Sequence, residues 1–254
     1  MYIDTHSHLY SEDFDNDIDE VISRAKNAGI SEIILPDISS IERPRLEALV
    51  NKDSNYFYPM IGLHPSDVKE NYLEELEIIK NKISQNSYVG IGETGLDYYW
   101  DTKYKKEQLE AFEYQINLAL KYNLPICIHV REAFEDSINM LKKYKDKQLK
   151  GVVHCFTGNL QQAMDIIDCG LYLGIGGVCT FKNSDLRNIL KNIDLKSIIL
   201  ETDSPYLAPV PYRGKRNESS YIIKVAEELQ SIYSLDSEKI GEITSANAKQ
   251  LFNI

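Results

Sequence analysis

Short β-rich runs alternate with longer segments of helical period along the whole chain, and this alternation narrows the possible folds more than any other feature. Runs rich in Ile, Val and Leu predict eight strands, at residues 2–5, 32–36, 57–61, 88–91, 125–129, 151–154, 171–175 and 197–200. Between them, Leu109, Phe112, Ile116 and Leu120 recur at helical spacing, as do Ile222, Ala226, Leu229 and Tyr233. Strands separated by helices imply a parallel sheet, because parallel neighbours need a crossover. Eight right-handed units either close into a barrel or spread into an open doubly wound sheet. The number of units and the length of 254 residues favour closure, since a single barrel runs to about 250. The expected fold is therefore α/β, a (β/α)8 TIM barrel forming one domain over residues 1–254. An additional C-terminal helix over residues 237–252, carrying Ile240, Ile243 and Leu251, is expected as a packing element.

Composition excludes several classes. With 43% hydrophobic and 26% charged residues, the chain can bury a sizeable core and is not of disordered composition. Its net charge of −11 argues against sequence-independent binding of nucleic acid through a broad basic face, so any phosphate chemistry needs a concentrated positive site. The four cysteines, Cys127, Cys155, Cys169 and Cys179, form no CxxC pair and read as reduced, buried thiols. No apolar run approaches the roughly 20 residues of a membrane span, and the first residues lack the pattern of a signal peptide. The expected location is cytoplasmic, with no membrane association and no obligate protein partner.

All five histidines, His6, His8, His64, His129 and His154, stand at or just beyond the end of an expected strand. A parallel barrel gathers those ends on one face, so sequence-distant imidazoles converge there. His6 and His8, two apart on an extended segment, point to the same side and can reach one ion. Glu93 and Asp203 occupy equivalent strand ends. Carboxylates buried there are costly without partners, and a divalent cation compensates them while using imidazole and oxygen ligands together. Taken singly, Asp203 ahead of Ser204-Pro205 also reads as a helix cap.

These residues lie in blocks that together resemble the TatD family of metal-dependent deoxyribonucleases, within the wider amidohydrolase-like group, over essentially the whole chain. The blocks are Ile3-Asp4-Thr5-His6-Ser7-His8, Gly62-Leu63-His64-Pro65, Gly90-Ile91-Gly92-Glu93-Thr94-Gly95-Leu96-Asp97-Tyr98, Pro125-Ile126-Cys127-Ile128-His129-Val130-Arg131, His154-Cys155-Phe156-Thr157-Gly158 and the run from Glu201 to Pro209. The resemblance implies two divalent metal ions (Mg, Mn or Zn), with His6, His8 and Asp203 on one, His129 and His154 on the other, and Glu93 bridging both. No modified lysine is expected, because the carboxylate at 93 does that electrostatic work. A later family motif is met by Pro211-Tyr212-Arg213-Gly214-Lys215-Arg216-Asn217-Glu218 but departs at Ser219, where proline is usual.

The resemblance further implies hydrolysis of DNA phosphodiester bonds, from ends or single strands, by a metal-activated water. Asp203, Glu93 and His64 are the expected catalytic residues, with Asp203 orienting or deprotonating the water. His64 either contacts the scissile phosphate or makes a structural hydrogen bond ahead of Pro65. His64, Arg131, Arg213, Lys215 and Tyr98 are the expected substrate contacts. Arg213, Lys215 and Arg216 offer a local basic patch to phosphate or form a solvated loop. Tyr98, Tyr99 and Trp100 either stack unpaired bases or pack their loop onto the barrel. Phe181-Lys182 is a further candidate wall, and Gly174, Gly176 and Gly177 permit tight backbone at the mouth. Two other readings stay open: a dinuclear hydrolase of a small ester, amide or lactone, and a non-catalytic barrel that binds metal or nucleic acid.

Overall fold

A computed structural model describes residues 1–84, 88–100 and 102–254. The strands are β1 (Tyr2–Asp4), β2 (Ile30–Leu35), β3 (Phe57–Ile61), β4 (Gly90–Asp97), β5 (Ile126–Arg131), β6 (Gly151–Val153), β7 (Tyr172–Ile175) and β8 (Ile198–Leu200). They pair in chain order, every neighbouring pair parallel. The helices are α1 (Ile18–Asn27), α2 (Arg43–Val50), α3 (Tyr72–Ile83), α4 (Lys105–Tyr122), α5 (Phe134–Lys142), α6 (Leu160–Asp168), α7 (Leu186–Leu190), α8 (Ile222–Tyr233) and α9 (Ser237–Phe252). The ring closes where β1 meets β8. Thr5 donates its backbone N–H to Leu200 O at 3.0 Å, Asp203 to His6 O at 2.9 Å, and His8 to Ser204 O at 2.7 Å. This is the (β/α)8 barrel expected from the alternation. Among the described residues, no helix is long and apolar enough to cross a membrane.

The helical spacing read from the sequence faces the sheet. Phe112 and Ile116 of α4 and Ile222, Ala226 and Leu229 of α8 are wholly buried in the layer between helices and strands. A second, smaller core fills the barrel itself, where inward residues of successive strands, Ile3, Ile34, Met60, Cys127, Val152 and Ile199, meet Ala248, Leu251 and Phe252 of α9. The C-terminal helix thus seals the end of the barrel opposite the strands' C-terminal mouth.

One strand departs from expectation in a way that matters for the site. β4 runs on to Asp97, six residues past Ile91 where the apolar run ends. Its continuation contains Gly92 and Gly95 rather than β-formers, so composition conceals it. Gly95, at φ +134°, is required because a Cβ there would stand 2.1 Å from His129 O. β4 and β5 therefore approach closely along the segment that carries Glu93, Asp97 and His129.

Candidate metal centre

Extensions of the strands set the site. His6 and His8 follow β1 on a segment tied on both sides, by Ser7 N to Ile34 O at 3.1 Å and by the bonds to the β8 segment. Ser7, pointing the other way, meets Ser204 Oγ at 2.6 Å. Glu93 lies within β4, His129 within β5, His154 directly after β6 and Asp203 just beyond β8. Cys155, Asp203 and Leu207 take positive φ values of 45°, 55° and 53°. Left-handed backbone is costly for such residues, and these three lie where the chain leaves the barrel mouth.

The six expected ligands converge. Glu93 Oε1 lies 2.7 Å from His154 Nε2, 2.9 Å from His129 Nδ1 and 3.3 Å from His64 Nε2. Its Oε2 lies 3.1 Å from His6 Nε2 and 3.5 Å from His8 Nε2. Asp203 Oδ1 is 3.7 Å from His6 Nε2 and 3.5 Å from His8 Nε2. Facing nitrogens stand 3.1 Å apart in two pairs, His6 with His8 and His129 with His154. Three overlapping groups have the spacing to hold a metal ion: His6, His8 and Asp203; His6, Glu93 and His154; and His64, Glu93 and His129.

Residues that sequence reasoning passed over fix the rings. Tyr10 donates its hydroxyl proton to Pro36 O at 2.6 Å, so its oxygen accepts from His8 Nδ1 at 2.9 Å and leaves the His8 Nε2 lone pair facing the cluster. Asp97 Oδ2 accepts from His129 Nε2 at 3.0 Å, turning Nδ1 inward. Cys127 Sγ stands 3.3 Å from His6 Nδ1, whereas His154 Nδ1 is buried without a hydrogen bond among the described residues, Glu201 Oε1 lying 3.8 Å away. Such outer partners set tautomer and basicity in metal sites. Asp97 had a signal in the sequence: the two-residue period of a strand puts it on the face of Glu93. Tyr10, two residues beyond His8, had the same kind of local signal, whereas Cys127 and Glu201 had none, since their neighbours are chosen by barrel closure.

These partners support a bound cation. With their outer N–H groups committed, neutral His8 and His129 aim bare lone pairs at the Glu93 carboxylate, an arrangement that needs a cation between them. Without metal, protons fill that role. Burial opposes charge on His8, but the hydrogen bonds it donates to Asp203 and Glu93 outweigh it and raise its pKa to about 9. Burial is likewise overcome at His129 by Asp97 and Glu93, again to about 9. At His6 burial and the neighbouring His154 prevail and lower it to about 4. Burial pushes Glu93 toward protonation, yet His154, His64 and His6 hold it well below the usual carboxylate range. Asp203 is also lowered, with His8 the main counterweight to its burial.

His64 joins the cluster from the loop after β3. Its Nδ1 accepts from Ser66 N at 3.1 Å, which leaves Nε2 as an N–H donor directed at Glu93 and the pocket. His64 thus makes the local hydrogen bond ahead of Pro65 and also directs an N–H toward the cluster. Burial lowers its pKa, keeping the ring neutral.

The pocket above the cluster has a volume of about 710 Å³, and its walls include His64, Trp100, Arg131, Tyr206 and Leu207. Among the described residues lining it, Arg131 is the one Lys or Arg. Its guanidinium lies 3.8 Å over the Tyr99 ring and 5.1 Å from that of Trp100. The remaining expected contacts are placed elsewhere. Tyr98 packs against the core, with its hydroxyl 2.9 Å from Asp136, so Trp100 rather than Tyr98 presents a face to the pocket. Arg213 stacks 3.7 Å over Phe181 outside the pocket walls. Lys215 lines a separate recess with Arg24, Tyr212, Arg216 and Tyr221. Arg216 is bound to Asp17 at 2.7 Å, which neutralises one charge of the basic patch. The loop that carries these cations is tied down by Asn217, which donates to Thr202 O and Tyr206 O.

A (β/α)8 barrel with imidazoles and carboxylates converging at its mouth defines the class, a metal-dependent hydrolase. The model of the family described as TatD related DNase matches residues 3–253, and the chain belongs to that family. An uncharacterized metal-dependent hydrolase of Bacillus subtilis, YabD, is 40% identical over the full length of both chains. A protein of Erwinia tasmaniensis named 3'-5' ssDNA/RNA exonuclease TatD is 31% identical, with 97% of each chain covered. The crystal structure of the TatD homologue YJJV of Escherichia coli K12 superposes with a TM-score of 0.93 at 29% identity, covering 100% of this chain and 98% of the other.

Proposed function

We propose that this protein is a two-metal phosphodiesterase that hydrolyses nucleic acid, DNA in the first instance, from a strand end. His6, His8 and Asp203 would hold one divalent ion and His129 and His154 the other, with the Glu93 carboxylate available to both and Mg, Mn and Zn as the candidate ions. The observation that carries this reading is the division of Glu93, whose Oε1 faces His129 and His154 while its Oε2 faces His6 and His8. The exonuclease name of the Erwinia relative supports the choice of substrate.

When bound, paired divalent ions supply Lewis-acid stabilisation of charge at phosphorus and a water nucleophile at neutral pH. The chain's own groups do the rest. Asp203, held ionised beside His8, orients the attacking water and takes its proton. His64 donates its Nε2 proton in a hydrogen bond to a phosphate oxygen or to the leaving oxygen. Arg131 contacts phosphate while stacked on Tyr99, and the exposed Trp100 ring offers a face to an unpaired base. A pocket with one cationic side chain among its described walls suits a strand tip better than a long polyanion track.

Metal-stripped protein reconstituted with Mg²⁺, Mn²⁺ or Zn²⁺ and given end-labelled single- and double-stranded DNA and RNA tests this. The expected result is a metal-dependent ladder that shortens from one labelled end. Metal-loaded protein that leaves every nucleic acid intact while turning over a small ester or lactone would overturn it.

A further inference from the structure

We propose that Asp97 is a positioning residue that couples the orientation of His129 to the aromatic platform at the pocket rim. This inference rests on the reading above in one respect, that His129 takes up a metal ion.

Asp97 is 2% exposed and uses both carboxylate oxygens. Oδ2 accepts from His129 Nε2 at 3.0 Å, whereas Oδ1 accepts from the backbone N–H of Tyr99 at 2.9 Å and of Trp100 at 3.4 Å. The backbone of Asp97 is itself pinned by the buried Gln108 of α4, which accepts from Asp97 N at 3.0 Å and donates to Asp97 O at 3.1 Å. With its main chain fixed, the carboxylate follows a turn of the imidazole by rotating about its own side-chain bonds. That rotation moves Oδ1, and with it the two amides that carry Tyr99 and Trp100. The platform faces the pocket at this point: Arg131 stacks on both rings, and Trp100 lines the same walls as His129.

Two consequences follow. A cation on His129 Nδ1 draws the ring inward and tightens the hold of Asp97 on the 98–100 turn, so metal uptake orders the surface that receives a base. By thermodynamic reciprocity, a base stacked on that surface strengthens metal binding by the same factor.

The sequence contains one Trp, so intrinsic tryptophan fluorescence reports Trp100 alone. Zn²⁺, which has a filled d shell and no redox chemistry, is titrated into the metal-stripped full chain while calorimetry measures binding independently. The wild-type protein is expected to show a saturable change in Trp100 emission that tracks Zn²⁺ occupancy. A phosphorothioate oligothymidylate that resists cleavage is expected to tighten Zn²⁺ binding several-fold. In Asp97→Asn the amide still accepts from the two backbone N–H groups but turns an N–H toward His129. Zn²⁺ affinity should then fall by about 10- to 100-fold, and the emission change at Zn²⁺ saturation should be lost. Asp97→Glu, which restores the negative charge, should recover part of both. Zn²⁺ binding that leaves wild-type Trp100 emission unchanged, or an emission change of equal size in Asp97→Asn, would overturn the coupling alone. A wild-type protein that binds no Zn²⁺, Mn²⁺ or Mg²⁺ would overturn the metal reading and the coupling together.

Discussion

Glu93 Oε1 lies 2.7 Å from His154 Nε2, the shortest of the carboxylate–imidazole distances in the cluster, and the other oxygen of the same carboxylate reaches the rings that follow the first strand. A single side chain thereby joins groups from opposite sides of the barrel. Glu93→Gln preserves its size and removes its charge. The expected outcome is loss of bound metal, measured as the metal-to-protein ratio, with hydrolysis falling by at least about 100-fold and the far-ultraviolet circular dichroism unchanged.

Asp203 is expected to act on the water as well as on metal. Asp203→Asn should lower kcat by about 100- to 10,000-fold, the usual contribution of a positioned proton acceptor, with a smaller change in KM. Steady-state hydrolysis of a short single-stranded oligonucleotide at saturating metal measures it. Unaltered kcat would remove Asp203 from the catalytic step.

The imidazole cluster makes the stability of the metal-free protein depend on pH with a definite sign. His8 and His129 titrate near 9 in the folded state, above the ordinary 6.5, so between those values the folded protein holds more protons than the unfolded chain and stability falls as pH rises. His6, lowered to about 4, acts oppositely: below 6.5 the unfolded chain takes up the proton first, and stability falls as pH drops. Burial raises Asp4 to about 6 and Asp37 to about 7, which opposes His6 on the acid side, so the expected outcome is confined to the alkaline side: above pH 7 the Tm of metal-stripped protein should decline toward pH 9. At pH 7, divalent metal should displace about two protons per molecule, read by calorimetry in buffers of differing ionisation enthalpy.

Arg131 and Lys215 separate the two placements of positive charge. Arg131→Ala should raise KM for single-stranded DNA by about 5-fold or more, because phosphate loses its donor and the Tyr99 and Trp100 rings lose their stacked cation. Lys215→Ala, in a different recess, should leave KM within about 2-fold.

The barrel floor offers a test of stability apart from chemistry. Phe252→Ala, on α9 beneath Met60 and Ile199, should destabilise the fold by about 3 to 5 kcal/mol in urea unfolding while the metal-to-protein ratio of the folded fraction stays unchanged.

Much of this arrangement is legible in the amino-acid order. Alternating strand and helix signals imply the barrel, and the position of each histidine at a strand end implies convergence, because topology alone brings those ends together. The hidden parts have physical reasons. The second half of β4 is masked by Gly92 and Gly95, which are present for the close approach of β5 and carry no strand propensity. Cys127 touches His6, and Tyr10 is anchored on Pro36 O, through contacts that depend on how the strands come together. The basic loop is misleading for another reason: charge read along the chain counts Arg213, Lys215 and Arg216 as free, whereas in space Phe181 and Asp17 claim two of them.

Leu251 and Phe252 stop the barrel from below, and this bears on how a polymer is handled. A chain that enters at the mouth has no exit on the far side, so it cannot be threaded through the enzyme like a rope through a ring. Under the proposed activity, each product would leave past Trp100 and Tyr206 by the route the substrate came in.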